Sequence, residues 1–570
     1  MNRYRTVIII AISLCGGAAA VEDVMPVQPQ AMGYAGVTTL KLADPGLDGS
    51  GVKIAVICRS TRYVNGEPQN DYRPMTAHNC FAGSRFVFRT DSDPAGEPSP
   101  HSTAICSILL GNDPNACAAG TGRFRYLGAA PAAEAQIYEF WDFLSTCVFG
   151  HKDPAVDVIT AGIGNEFEDW WTRGIDSLAQ HYGITVVAAI GNGEDSGDPP
   201  LYPAAAANCI GVGVVDSVAT AKLDKKLADF ALVRPEHSTT GPTSDARCKP
   251  DIVTAGNCLV ADYRSVDSYQ PAGDWSSFAT PVAAGSVALI IQGANRYGLL
   301  ADTRRPKGTN CLVKAILMNS AEKLPYWHKG ILTKSDDHAV PLDYSQGAGA
   351  LDAAEAFRHI NAGRHNGGEV PEKGWDLNEL EPAGSAAKTY ILDIDEPAGK
   401  RITATLAWNR HYSKQYPFER DSRMDSDLRI ELWGVDEADP AANLLIDYSD
   451  SRADNVEHIY SAAEPGRRRY HLVVTRSGLE SAGRPCLYAL AWSVVEEPRL
   501  KGPLWYDLNC DGTIDEHDLM KMLENLLNSM AQPERYYHGD INEDGLFDLS
   551  DVQVLMQHKS IRRSLAARRK

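Results

Sequence analysis

Asp274-Trp-Ser-Ser-Phe-Ala-Thr-Pro281 runs directly into the small-residue stretch Val282 to Gln292. This pattern predicts a short polar turn opening into a helix, with Ser277 at the helix N-terminus and little bulk around its hydroxyl. Free N–H groups and the helix dipole at such a point favour any negative charge that develops there. A serine so placed is a candidate nucleophile. His101, in Pro98-Ser-Pro-His-Ser-Thr-Ala-Ile-Cys-Ser-Ile108, opens a second predicted helix and is the candidate base. Asn192, in Ala188-Ala-Ile-Gly-Asn-Gly193, follows an apolar run and can offer its amide to an oxyanion, with the Ser277 N–H as second donor. Singly, a histidine at a helix start is more often a capping or surface residue, and Gly-Asn-Gly is usually a turn. Their order along the chain lifts them together.

Around these residues, from Gly51 to about Ala362, apolar runs alternate with small-residue helices. Val52–Ile57, Asp157–Thr160 and Gly183–Ala189 read as strands covered on both faces, and Ser102–Leu110, Trp170–Tyr182 and Lys314–Glu322 as helices. The expectation is an α/β doubly wound, mostly parallel sheet, with function at the carboxyl ends of its strands. A polar stretch, 363–380, reads as a linker. From 381 to 497 the runs are strand-like and separated by turns, as in an all-β sandwich. Its Trp408, Trp433 and Trp492 read as core residues.

Residues 51 to about 360 resemble a subtilisin-like serine peptidase (subtilase). The matching segments are Gly49–Ile57, His101-Ser-Thr103, Val187–Gly193, Tyr202-Pro-Ala204, Gly241–Asp251, Ser276–Pro281 and Gly347–Asp352, in the family's order. The resemblance implies that His101 is the general base, Ser277 the nucleophile and Asn192 the oxyanion donor. It also implies that Val158 to Gly164 binds a peptide or protein substrate by backbone pairing. The departure is at the first triad position, where the family places an aspartate and this chain has Cys58. The family's His-Gly-Thr is His101-Ser-Thr103, and its Gly-Thr-Ser is Trp275-Ser-Ser277. A thiol is a weaker acceptor than a carboxylate and sits on a shorter arm, so its hold on the imidazole would be loose. Asp71, in the following loop, is a conceivable substitute. Two readings follow: a serine endopeptidase with impaired turnover, or a catalytically silent domain kept for peptide binding or scaffolding.

Past residue 502 the sequence repeats itself. Asp507-Leu-Asn-Cys-Asp-Gly-Thr-Ile-Asp-Glu-His-Asp518 recurs as Asp540-Ile-Asn-Glu-Asp-Gly-Leu-Phe-Asp-Leu-Ser-Asp551. Oxygen donors at loop positions 1, 3, 5, 9 and 12, with glycine at 6, suit a calcium loop of EF-hand type. The candidate ligands are Asp507, Asn509, Asp511, Asp515 and Asp518, and Asp540, Asn542, Asp544, Asp548 and Asp551. Thr513 and Leu546 would add backbone carbonyls. Two Ca2+ ions are therefore expected. Aspartate at position 12, with a helix only after each loop, resembles a type I dockerin domain. That resemblance implies a cohesin-like domain on another protein as partner; a calcium-stabilised terminal module without a partner is the alternative.

With 570 residues, several domains are the expectation. A formal net charge of -19 argues against a nucleic-acid partner. Arg3 and Arg5, the apolar run Val7–Leu14 and Ala18-Ala-Ala20 read as a secretory signal, ahead of a lipid anchor at Cys15. No membrane span is expected downstream. The chain thus divides into a signal peptide (1–20), an N-terminal extension (21–50), a subtilisin-like domain (51–362), a linker (363–380), a sandwich (381–497), a dockerin-like domain (502–560) and a basic tail (561–570). Extracellular localisation follows from the signal. Of the 12 cysteines, Cys15 would leave with the signal; the 11 others can form disulfides there with at least one thiol unpaired, in a connectivity that spacing does not reveal.

Overall fold

The computed structural model describes residues 27–65, 67–90, 96–118, 122–165, 169–193, 199–215, 237–256, 258–273, 275–300, 308–324, 327–330, 338–382, 387–421, 426–477, 484–496, 508, 515–531, 548–558 and 561–562. The predicted signal peptide lies outside them.

The apolar runs form strands buried on both faces. β1 (Lys53–Cys58), β2 (Arg85–Phe88), β3 (Glu134–Glu139), β4 (Val158–Ala161), β5 (Thr185–Ala189), β6 (Cys209–Val215) and β7 (Ile252–Ala255) make one sheet in the order β7-β6-β5-β4-β1-β3-β2. Every neighbouring pair is parallel. Helices α1 (Pro100–Leu110), α2 (Asp169–Tyr182) and α3 (Ser276–Arg296) cover its faces. The two-residue period of a strand divides β1 between two cores. Ile54, Val56 and Cys58 join the core holding α1 and α3, whereas Ala55 and Ile57 join the one holding Trp171, Ile175 and Leu178 of α2. The parallel sheet expected from the sequence is present.

Three boundaries differ from expectation. First, α3 begins at Ser276, not at Val282, and carries Pro281 inside it. Proline lacks an N–H, so the Ser277 carbonyl loses its helical donor while the helix continues. The lengthened α3 is also long and apolar enough to cross a membrane, which the sequence reading missed by starting it too late; it is wholly buried within the fold. Second, residues 27–50 are packed into the subtilisin-like region. Val27–Gln28 pairs with Gly122–Leu127, and Ala31, Met32, Val37, Leu40 and Leu47 enter its core. Third, the expected linker holds two strands, β8 (Gly368–Val370) and β9 (Lys373–Leu380), the latter anchored by buried Trp375 and Leu377.

The strands that follow are β10 (Lys388–Asp393), β11 (Lys400–Trp408), β12 (Leu428–Val435), β13 (Leu444–Ser449), β14 (Val456–Ala462), β15 (Arg469–Arg476) and β16 (Cys486–Glu496). They build two sheets, β8-β10-β15-β12-β13 and β9-β16-β11-β14. One core lies between the sheets, with Tyr390, Leu432 and Leu472 from the first and Ile402, Leu490 and Trp492 from the second. Trp408 is buried there as expected, but Trp433 sits half-buried on the outer face of β12. The four-stranded sheet packs on α4 (Thr309–Asn319), which begins five residues before the predicted Lys314. Asn319 ties the two parts together, accepting from Thr403 and Thr405 at 3.1 and 3.2 Å and donating to Ser493 at 3.3 Å. Two further helices, α5 (Glu516–Ala531) and α6 (Leu549–Gln557), pack on each other near the C-terminus.

Beneath β6 a single buried carboxylate, Asp251, serves two ammonium groups. Lys249 pairs with it, Lys314 lies 2.8 Å away, and the Gly211 N–H donates to it at 2.7 Å. Burial opposes its ionisation, but the two lysines hold the Asp251 carboxyl below its ordinary value. Asp251→Asn would leave both lysines in the interior without a counter-charge. The expected cost is about 3–5 kcal/mol, measured as a lowered denaturation midpoint.

Candidate active site

Two glycines shape the first half of the site. Past the end of β5 the chain runs Ile190-Gly191-Asn192-Gly193, with Gly191 at φ 120° and Gly193 at φ 61°. Both values are in the region that favours glycine, so the chain turns sharply and sets Asn192 toward the start of α3. There the Asn192 Oδ1 accepts from the Ser276 backbone N at 3.0 Å and from the Ser276 hydroxyl at 2.9 Å. The Gly191 N–H in turn donates to the Ser276 Oγ at 3.2 Å. With its oxygen taken, the amide of Asn192 has its nitrogen left as the donor end. Ser276 was not singled out in the sequence, yet it is the residue that joins Asn192 to the helix.

Ser277 follows within the first turn of α3, 9% exposed. Trp275 at the N-cap makes no side-chain cap, and the first N–H of the helix goes to Asn192 Oδ1 instead. A Cβ on Gly162, just past β4, would sit 3.1 Å from the Ser277 carbonyl oxygen. The close approach of this segment, which carries part of the expected substrate strand, therefore needs glycine.

His101 stands at the second position of α1, after the cap Ser99 and Pro100. Its ring lies 5.9 Å from that of Phe278, the neighbour of Ser277. Phe278 in turn stacks on exposed Trp275, with 5.9 Å between ring centroids. The fold thus brings His101, Asn192 and Ser277 to one region at the carboxyl ends of β4 and β5 and the amino ends of α1 and α3.

The electrostatics around His101 are unusual for a base that must become cationic. Burial pushes its imidazole down to about 4, and the Arg59 guanidinium adds to the shift. The helix N-terminus on which it sits also disfavours a cation. Arg59 directly follows Cys58; its influence arises only once β1 and α1 are packed together. The Cys58 thiol is not given to the imidazole. It acts instead on the buried Cys106 thiol of α1, and together with burial pushes that thiol well above the usual thiol range. Asp71 is committed elsewhere, accepting from the Tyr72 N–H at 2.8 Å and lying 3.8 Å from Arg73.

Of the twelve candidate calcium ligands, Asp507, Asn509, Asp511, Thr513, Asp540, Asn542, Asp544 and Leu546 lie outside the described residues. The remaining four repeat one arrangement. Asp518 and Asp551 are fully buried and accept from the backbone N–H of Asp515 and Asp548, at 2.8 and 2.9 Å. Around Asp548 the two bonds form a capping box, which sets the start of α6. Among the described residues no cluster of three potential ligands occurs.

The depressed imidazole makes a pH prediction. Between about 4 and 6.5 the unfolded chain binds a proton at His101 that the folded chain does not. Stability therefore rises with pH across this window and is lost as pH falls through it. Replacing Arg59 by Gln should raise the His101 pKa, read by the imidazole resonance in an NMR titration.

Residues 88–349 match the model of the Subtilase family, a span that includes His101, Asn192 and Ser277 but not Cys58. Among characterised proteins, the chain is 28% identical over 194 residues to the serine protease AprX of Bacillus subtilis (strain 168), covering 30% of this chain and 39% of that protein. It is 25% identical over 202 residues to the PII-type proteinase of Lacticaseibacillus paracasei, covering 35% of this chain and 10% of that protein. The chain thus spans well under half the length of either relative. Among solved structures, the patellamide maturation protease PatA is 22% identical with a TM-score of 0.37, over 55% of this chain and 98% of that one. The family-model match supports a subtilase domain at residues 88–349.

Proposed function

We propose that the subtilase domain is a serine endopeptidase that forms an acyl-enzyme on Ser277 using a base without a carboxylate behind it. The observation that carries this reading is the pair of bonds from Ser276 to Asn192 Oδ1, which orients the amide nitrogen as a donor. In the first step His101, neutral at physiological pH, takes the Ser277 proton as Oγ bonds to the peptide carbonyl carbon. The oxyanion is met by the Asn192 amide and the Ser277 N–H. His101 then gives its proton to the leaving amine, and water repeats the sequence on the ester. The weak point is the imidazolium, which Arg59 and burial oppose. Loss of the triad carboxylate costs roughly 10⁴ in turnover in a related triad, while the oxyanion hole and binding still give about 10³–10⁴ over water. The enzyme is accordingly slow.

One observation favours the second reading, a catalytically silent peptide-binding or scaffold domain. The charged group acting on His101 is a cation, Arg59, and the residue at the aspartate position carries only a thiol, that of Cys58.

The remaining parts of the proposal concern location and attachment. We read the chain as secreted by its signal peptide, the two-sheet region as a β-sandwich, and the C-terminus as a dockerin-like module. Two Ca2+ ions would be held by all-oxygen donor sets that include Asp518 and Asp551 at position 12. The partner would be a cohesin-like domain.

A fluorophosphonate probe should label the parent protein and not Ser277→Ala; equal absence of label in both would favour the silent reading. Cys58→Asp should raise amidase activity by at least about tenfold, a fraction of the triad-carboxylate effect. No gain in an already fully active parent would mean that another group orients His101. Capture by a panel of cohesin domains should be lost on adding a chelator, and capture indifferent to chelation would contradict the calcium assignment.

A further inference from the structure

We propose that Trp275 is a specificity-determining residue, which receives an aromatic side chain of the bound peptide on the leaving side of the cleaved bond. The chain has this tryptophan where the subtilase pattern has the glycine of its Gly-Thr-Ser. A large ring therefore stands two residues before the nucleophile, at a point where the pattern leaves open space. It is 48% exposed and belongs to neither core of the parallel-sheet region.

A single exposed aromatic is ordinary on a protein surface. This one is also held in place. Its ring stacks on nearly buried Phe278, with the planes 4° apart and the centroids 5.9 Å apart. A Cβ on Gly273 would sit 2.9 Å from the indole nitrogen, so only glycine there lets the ring settle as it does. A Cβ on Gly256 would sit 2.6 Å from the Trp275 carbonyl oxygen, so the backbone is closely packed as well. An aromatic ring fixed in advance loses little freedom when a ligand meets it.

The direction rests on the peptidase reading above. His101 gives its proton to the leaving amine, so the peptide beyond the cut bond passes that imidazole. Phe278 lies 5.9 Å from the His101 ring, and Trp275 one more spacing of 5.9 Å from Phe278. The indole is thus at most two such spacings from the imidazole, a reach covered by about three extended residues at roughly 3.3–3.6 Å each. One of the first three residues after the cut is the one that meets the ring. An aromatic side chain gains most there, because it adds offset or edge-to-face packing to the area it buries.

The test uses the full chain carrying Ser277→Ala, which cannot turn over, and two fluorescent peptides. One is alanine between terminal lysines; the other has its three central alanines replaced by phenylalanine. Fluorescence polarisation should show the phenylalanine peptide binding about two- to tenfold more tightly, the worth of one aromatic pair. Adding Trp275→Gly should erase that difference, and Trp275→Phe should keep most of it. A preference unchanged by Trp275→Gly, or no binding of either peptide, would overturn the proposal. The side is read in the parent, acylated by a nitrophenyl ester in the presence of Ala-Phe-Phe amide or Ala-Ala-Ala amide. The amine nitrogen of the amide takes the acyl carbon from Ser277 Oγ, and its proton returns to that oxygen. Greater capture by the phenylalanine amide, lost in Trp275→Gly, is expected; equal capture by both would overturn the leaving-side placement. Absence of fluorophosphonate label in the parent would mark failure of the peptidase reading itself, and the binding comparison then decides for or against Trp275 on its own.

Discussion

The amide of Asn192, gripped by the backbone N–H and hydroxyl of Ser276, fastens the carboxyl end of a central strand to the amino end of the longest described buried helix. Both termini are places where backbone groups lack partners, and both are exposed to substrate in an open α/β sheet. One side chain links them and at the same time keeps its nitrogen as the donor end. Gly191 and Gly193 on one side and Gly162 on the other allow the approach. Ser277 and Asn192 are thus placed by a single local geometry that does not involve the first strand.

Independence from the first strand explains how the site can persist with Cys58 in place of a carboxylate. The part of a triad that binds and polarises a carbonyl is built from β5 and α3. The part that stabilises the charged base is built from β1 and α1, and there Cys58 stands where the subtilase pattern has an aspartate. Burial, a helix N-terminus and Arg59 all act against a cation at His101, with Asp71 held by Tyr72 and Arg73 instead.

Much of the sheet was legible from sequence because strands buried on both faces must be apolar throughout, and Lys53–Cys58 and Thr185–Ala189 nearly are. Ser277, His101 and Asn192 were legible because each is flanked by small residues at an element boundary. The start of α3 was not, since Pro281 reads as a helix start while a proline six residues in costs only local bonds. Strands β8 and β9 were hidden in a polar stretch whose burial rests on few residues, chiefly Trp375 and Leu377. Ser276, Arg59 and Cys106 escaped notice because their roles come from packing between segments far apart in sequence. For Arg59 the one available signal was a cation placed next to the altered triad position.

The central claim is that a hydroxyl, an imidazole and a carboxamide suffice to acylate this protein. Stopped-flow mixing with an activated nitrophenyl ester, followed by acid quench and mass analysis, tests it most directly. A burst of nitrophenol approaching one per chain is expected, with the acyl group on Ser277, and then slow linear release. Linear release from the outset, with no acyl group on Ser277 at any time, would contradict it.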